Sequence, residues 1–126
     1  MLRAFKDFRE HLHEAHEHRR ELKEIDALGD RALDEIGLSR SQLREIVETP
    51  DAVAARMTAM ARRHGLDPEA IEQNRQDYAH LLDTCAHCHA TGQCAAYLAD
   101  QTRGTAAAGF CPNHADYLAL QENSGA

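Results

Sequence analysis

Residues 85–94 read Cys-Ala-His-Cys-His-Ala-Thr-Gly-Gln-Cys, and Phe-Cys-Pro-Asn follows at residues 110–113. These two stretches hold all four cysteines of the chain, in the spacing Cys-x2-Cys-x5-Cys-x16-Cys. Chance rarely gathers every cysteine of a 126-residue chain into one such segment, so we interpret them as parts of one site. Four thiolates suit either a tetrahedral Zn²⁺ ion or an iron–sulfur cluster.

The spacing favours an iron–sulfur cluster, with the 4Fe–4S form preferred. Structural zinc sites usually use two tight Cys-x2-4-Cys pairs, whereas here only the first pair is tight. The remote cysteine is followed by proline, a combination that recurs at cluster-ligating positions. Such a cluster would serve in electron transfer or in sensing redox state, oxygen or nitric oxide. The predicted ligands are Cys85, Cys88, Cys94 and Cys111.

Other chemistries for the cysteines stay open. A four-cysteine zinc site would hold together a helical protein-interaction module, with the N-terminal helix as its docking surface. The stretch Cys85-Ala86-His87-Cys88-His89 also matches the Cys-x-x-Cys-His signature of c-type haem attachment, a minor alternative that leaves Cys94 and Cys111 without a role. A Cys-x-x-Cys pair can also do thiol redox chemistry. No glycine-rich phosphate loop, nucleophile elbow or His-Glu-x-x-His motif occurs, so an enzyme is the least supported class.

Several side chains close to the cysteines in sequence could assist the site. A histidine could replace a cysteine as ligand or donate a hydrogen bond to a cluster sulfur. Solvated loop histidines are the simpler interpretation. A phenylalanine beside the last cysteine could limit the access of solvent. The predicted neighbours are His87, His89, His114 and Phe110.

The rest of the chain has a helical pattern. Apolar residues recur mostly three or four positions apart, and no segment shows the sustained period-two alternation of a strand. The pattern predicts an all-α protein, a small bundle of six or seven mostly short helices. The longest is an amphipathic helix over residues 2–28. Its apolar stripe is consistent with packing inside the chain or with pairing in a homodimer.

Several helix ends carry their own signals. Ser39 with Gln42 predicts a capping box, in which the two residues satisfy each other's backbone N–H groups. The pairs Thr49-Pro50 and Asp67-Pro68 each predict an N-cap followed by proline at the first helical position. Three glycines are predicted to end helices, Gly29, Gly37 and Gly65.

The order of elements toward the C-terminus is also predicted. One helix should begin at Pro68 and end near Thr84, before a turn at Thr91-Gly92 and a loop over residues 101–109. Two methionines, Met57 and Met60, are interpreted as core residues. Three tyrosines are expected to be half-buried with their hydroxyls near water, Tyr78, Tyr97 and Tyr117.

The chain is predicted to divide into two parts and a tail. Residues 1–49 form a helical N-terminal segment, residues 50–122 a helical cysteine-cluster domain, and residues 123–126 a frayed tail.

Charge and composition limit the partners and the compartment. A net charge of −7 disfavours nucleic acid, and no window approaches the roughly 20 apolar residues of a transmembrane helix. The charged N-terminus lacks the apolar region of a secretory signal, which predicts a cytoplasmic protein. In that reducing compartment clustered cysteines more often bind metal or do redox work than form disulfides. The expected partner is an unidentified protein.

Four histidines lie close together in the predicted N-terminal helix. Pairs at helical spacing could bind Zn²⁺ or Ni²⁺ weakly, as a metal-storage or sensing strip. A solvated helix face mixed with glutamate and arginine is the simpler interpretation. These residues are His11, His13, His16 and His18.

Two stretches resemble known families. Residues 19–47, and above all Leu-Asp-Glu-Ile-Gly-Leu-Ser-Arg at 33–40, resemble a YjiS-like domain of unknown function. That resemblance implies a small helical domain; members of the family are usually arginine-rich, and some are linked to RNA or stress regulation, whereas this segment is not strongly basic. Residues from about 65 to 120 resemble a bacterial cysteine-bearing domain of unknown function, through the spacing of the four cysteines and the Phe-Cys-Pro-Asn stretch. The second resemblance implies a shared metal or redox site.

Overall fold

The computed structural model describes residues 17–124, and every regular element in that range is a helix. The prediction of an all-α protein is therefore confirmed. Most of the helix predicted over residues 2–28 lies outside the described residues, although residues 17–27 are helical. The elements are α1 (residues 17–27), α2 (Asp30–Ile36), α3 (Arg40–Glu48), α4 (Asp51–Arg63), α5 (Pro68–Gln73), α6 (Arg75–Ala86), α7 (Thr91–Ala99), a 3-10 helix (Thr105–Ala108) and α8 (His114–Ser124).

The helices within residues 17–124 outnumber the six or seven predicted, in part because one predicted helix is broken. Asn74 has extended backbone angles, φ −89° and ψ 93°, and so ends α5. Its side-chain oxygen accepts a hydrogen bond from the Asp77 N–H at 3.2 Å, which begins α6. The expected turn at Thr91-Gly92 is also wrong, because those two residues form the first turn of α7.

Most of the predicted helix ends are confirmed. Ser39 Oγ accepts from the Gln42 N–H at 3.1 Å, and Gln42 Oε1 accepts from the Ser39 N–H at 2.9 Å, which is the reciprocal capping box. Asp67 caps α5 by accepting from the Glu69 N–H at 3.0 Å, with Pro68 at the first position. At the start of α4 the prediction is off by one residue, since Pro50 rather than Thr49 is the N-cap.

The chain divides into two compact units between Glu48 and Thr49. In the first unit, the Arg40 side chain donates to the backbone carbonyls of Ile25 and Leu28 and so ties α3 to the end of α1. Arg44 forms an ion pair with Asp26 across the same junction.

The second unit has its core where α4 packs against α6, with α5 contacting both helices. Met57 and Met60 of α4 are buried, as predicted, and so are Leu81 and Leu82 of α6. Tyr97 of α7 and Tyr117 of α8 are fully buried, at 0% and 1% exposure; the expectation that they are half-buried is wrong for both. Tyr78 is half-buried as predicted.

Arg63, at the end of α4, fixes the end of α7. Its guanidinium donates to the carbonyl oxygens of Tyr97 at 3.0 Å, Asp100 at 3.1 Å and Arg103 at 2.7 Å. The same group lies 4.2 Å from the centre of the Tyr97 ring, a cation–π contact. One side chain therefore satisfies one carbonyl in the last turn of α7 and two in the segment that follows, and it holds α7 against α4.

No helix in the described part of the chain has the length and apolar character needed to cross a bilayer.

Two of the predicted helix-ending glycines, Gly37 and Gly65, have left-handed backbone angles, with φ of 84° and 76°. A β-carbon at Gly65 would meet only Gln121, at an ordinary 3.6 Å, so the cost of a side chain there comes from the backbone angle. We expect Gly65→Ala to lower the free energy of unfolding by about 1 kcal/mol.

The matched control is Gly104→Ala, which places the same methyl group in open space at φ −81°. This variant should be neutral or slightly more stable than the wild type, because alanine reduces the entropy of the unfolded chain. Urea unfolding of the two variants under reducing conditions measures the difference. Equal stability of the two would show that the angle at Gly65 is not strained.

Candidate metal centre

The four cysteines come from three separate segments of the second unit. Cys85 lies in the last turn of α6 and Cys88 just beyond its end, Cys94 is in α7, and Cys111 is in the segment between the 3-10 helix and α8. All four are free thiols of intermediate exposure. All four line a single cavity. The folded chain therefore brings together the residues that the sequence analysis grouped.

The cavity is small and largely apolar. Its volume is about 20 Å³, which is the space of about one water molecule. Bound iron and sulfide would therefore require the surrounding side chains to move apart. Met57 and Met60 contribute flexible thioether chains that can adapt in this way. The other lining residues are Arg56, Thr91, Phe110, Pro112, Asn113 and Tyr117.

Backbone N–H groups point at two of the sulfurs. The Ala90 N–H donates to Cys88 Sγ at 3.2 Å. The Asn113 N–H hydrogen-bonds the Cys111 sulfur in the same way. In both cases the donor is two residues after the cysteine. Hydrogen bonds to sulfur stabilise thiolates and help set the potential of iron–sulfur centres.

Burial favours the neutral thiol at three of the four cysteines in the absence of metal. It raises the pKa of Cys85, Cys94 and Cys111 above the usual thiol value, and neighbouring thiols of the group raise each pKa further. The Arg56 guanidinium opposes this effect at Cys85 and Cys94 by lowering the pKa. Cys85 Sγ lies 3.8 Å from the Val53 carbonyl oxygen and donates to it as a thiol. Metal binding would therefore release protons.

Asn113 fixes the segment that carries Cys111. It is 1% exposed, and its Nδ2 donates to the Leu81 carbonyl at 2.8 Å, which joins the start of α8 to α6. The Tyr117 hydroxyl, on the first turns of α8, donates to the Met57 carbonyl at 3.4 Å. Burial raises the pKa of Tyr117 far above its usual range, so the hydroxyl stays protonated.

A buried histidine, His64, is paired with the half-buried His114 in the same unit, and no sequence pattern indicated the pair. His64 is 1% exposed and its Nδ1 donates to the Met60 carbonyl at 2.8 Å, since a carbonyl only accepts. Neutral His64 therefore accepts at Nε2, from His114 Nδ1 at 2.9 Å. Burial, as the main cause, lowers the pKa of His64. The pair links the end of α4 to the start of α8.

The predicted neighbours occupy different positions. Phe110 lines the cavity and contacts the Tyr97 ring edge-to-face, with ring centres 5.9 Å apart. His87 and His89 are exposed and are not among the lining residues. His87 Nδ1 instead bonds the Asp83 carbonyl at 2.9 Å. His114 is half-buried and bonds His64.

Among residues 17–124, no group of three or more His, Cys, Asp or Glu side chains is already arranged to hold a metal ion. The four cysteines share a cavity without that arrangement. Of the N-terminal histidines only His18 is described; it is half-buried, and the other three lie outside the described residues.

Comparison with known protein families identifies most of the second unit. A family model described as a family of unknown function, DUF6455, matches residues 44–123. The match includes all four cysteines and covers the predicted cysteine-bearing stretch of about 65–120. It begins within the YjiS-like segment of residues 19–47, whose resemblance stays a prediction. No curated protein and no solved structure matches the chain.

The lowered pKa of His64 predicts a pH dependence of stability. The unfolded chain takes up a proton at this histidine below about pH 6.5, and the folded chain does so only at lower pH. The contribution of neutral His64 is therefore complete above about pH 6.5 and is lost as the pH falls toward the folded pKa. We expect metal-free wild-type protein to lose more unfolding free energy on acidification than His64→Gln.

Urea unfolding at several pH values measures this difference. His80→Gln is the control, because His80 is an exposed histidine of the same unit, paired with Asp116 at 3.2 Å. Because His80 is exposed and His64 is buried, His80→Gln should lose more unfolding free energy on acidification than His64→Gln does. An equal acid loss in His64→Gln and wild type would contradict the assignment of a buried neutral His64.

Proposed function

The chain belongs to DUF6455, a family of unknown function, and we propose that its four cysteines bind an iron–sulfur cluster. The 4Fe–4S form is the favoured one, with Cys85, Cys88, Cys94 and Cys111 as ligands. The observation that carries the proposal is that four thiols from three separate segments line one cavity. Nothing in an ordinary core requires four cysteines at one place, since small apolar residues fill space without their reactivity.

The surroundings of the thiols support a negatively charged centre. Two sulfurs accept backbone N–H groups, and the Arg56 guanidinium lies close to two of the thiols. These groups favour the thiolate form that a metal requires. Apolar Met57 and Phe110 keep part of the site dry, while the half-exposure of the cysteines leaves a route to the surface.

The proposed role is electron transfer or the sensing of redox state, oxygen or nitric oxide. When bound, a cluster supplies one-electron chemistry and reactivity toward oxidants. The chain itself holds the ligands and excludes water where Met57 and Met60 of α4 and Tyr117 of α8 line the cavity. We further propose that the protein works in the reducing cytoplasm and that its N-terminal segment, YjiS-like in sequence, docks a partner protein.

We expect anaerobically purified or reconstituted protein to be brown, with iron and acid-labile sulfide at about four equivalents each. Cys111→Ser should lower bound iron by about tenfold or more, because serine is a poor ligand for iron in such clusters. Ala115→Ser is the matched control: it adds a hydroxyl at an exposed position of α8 that does not line the cavity. This control should bind as much iron and sulfide as the wild type.

The same preparation separates the alternatives. A colourless protein with one zinc supports the interaction module with a four-cysteine zinc site. Zinc would have to draw the four sulfurs to about 3.8 Å from one another, the spacing set by Zn–S bonds of about 2.3 Å. A red protein with covalently attached haem would support attachment at Cys85 and Cys88. Full cluster loading of Cys111→Ser would remove Cys111 from the ligand set.

Binding of the iron–sulfur cluster should stabilise the second unit. Its cysteine-bearing segments are rich in alanine and glycine, and a centre that ties α6, α7 and the start of α8 together adds its binding energy to folding. We expect the thermal midpoint of loaded protein to exceed that of the metal-free form by about 10 °C or more. Differential scanning calorimetry under anaerobic conditions measures this shift. Equal midpoints for the two forms would contradict a structural contribution of the centre.

A further inference from the structure

Arg56 is the one lining residue of the cysteine cavity that carries a formal charge, within the part of the chain that the structure describes. It lies on α4 and is half-buried. Its guanidinium is within hydrogen-bonding reach of Cys85 and close enough to Cys94 to act on it electrostatically. The two cysteines belong to different helices, α6 and α7, so one cation from α4 faces ligands from both.

The segments around the cysteines carry no other formal charge. Residues 84–99 and 104–115 contain no Asp, Glu, Lys or Arg, although such residues make up 28% of the chain. Arg56 therefore has no charged competitor within the segments that supply the ligands. Guanidinium is always protonated and presents several N–H donors in one plane, which suits contact with more than one sulfur.

We propose that Arg56 is the counter-charge of the four-thiolate centre: its guanidinium, which lines the same cavity as the four cysteines, offsets the negative charge of the bound metal–thiolate group. Four thiolates around a divalent ion, or around a 4Fe–4S core of charge +2, leave a net charge of −2. A fixed cation beside them stabilises the loaded state over the empty one and the reduced state over the oxidised one. Arg56 thus raises both metal affinity and reduction potential. The predicted effect on metal affinity needs only a four-thiolate site, whereas the predicted effect on reduction potential rests on the proposed iron–sulfur cluster.

The metal-affinity test uses Co²⁺, whose thiolate charge-transfer and d–d absorption bands report a tetrahedral sulfur site. Reduced, metal-free protein is titrated with Co²⁺ under anaerobic conditions. We expect Arg56→Gln to bind Co²⁺ about 10- to 100-fold more weakly than wild type. Arg56→Lys keeps the charge and should recover most of the affinity. Arg56→Met keeps the apolar stem without the charge and should behave as Arg56→Gln does.

The matched control is Arg62→Gln, which removes the same charge from the same helix at an exposed position away from the cavity. It should bind Co²⁺ as wild type does, because an exposed charge at a distance is screened by salt. Circular dichroism and thermal unfolding establish that each variant is folded. Wild-type affinity in both Arg56→Gln and Arg56→Met would overturn the proposal, and so would equal losses in Arg56→Lys and Arg56→Gln.

The potential test uses loaded protein. The midpoint potential should be lower in Arg56→Gln than in wild type and unchanged in Arg62→Gln, a pattern that a merely structural role of Arg56 would not produce. An unchanged potential in Arg56→Gln would overturn this part of the proposal while the cluster itself stands. If wild type binds Co²⁺ but takes up no cluster, the proposed function fails and the Co²⁺ titration still decides the role of Arg56. A wild type that binds neither would overturn both.

Discussion

The packing of α4 against α6 is the contact on which the cysteine site depends. Helix α4 packs against α6, and the core of the second unit buries Met57 and Met60 of α4 together with Leu81 and Leu82 of α6. This contact sets the end of α6, where Cys85 lies, against α4 and its Arg56. Full burial of a large apolar side chain contributes about 1.5 to 3 kcal/mol, so these four residues are major contributors to the stability of the second unit, together with the buried Tyr97 and Tyr117.

Two arginines on the same face of α4, Arg56 and Arg63, have different roles. Arg63 satisfies three backbone carbonyls in and just after the last turn of α7 and covers the Tyr97 ring, and so it positions the helix that carries Cys94. Arg56 faces the thiols themselves. On the far side of the cavity, Asn113 and the pair of His64 with His114 anchor the start of α8 after Cys111. Ordinary hydrogen bonds therefore hold each ligand-bearing segment before any metal is bound.

Local signals predicted the parts of the fold that local physics controls. The capping box of Ser39 and Gln42, the Asp67 cap and the glycine at 65 all act within four residues, so the sequence shows them directly. Asn74 was missed because a single asparagine inside a helical pattern costs only a fraction of a kcal/mol, too little to predict a break, and only its observed extended backbone marks the end of α5. The burial of Tyr97 was missed because its cover comes from Arg63, 34 positions earlier in the chain.

The sequence by itself determined the helical class and the grouping of the four cysteines, because helical periodicity and short cysteine spacings are both readable along the chain. Only the tertiary structure decided what surrounds those cysteines. The bond from Asn113 to Leu81 spans 32 positions and the contact of His64 with His114 spans 50. Arg56 of α4 likewise contacts Cys85 at the end of α6, although α5 lies between the two helices in the sequence. Such partners are chosen by how helices pack, and no local pattern encodes which of several arginines or histidines will face the site.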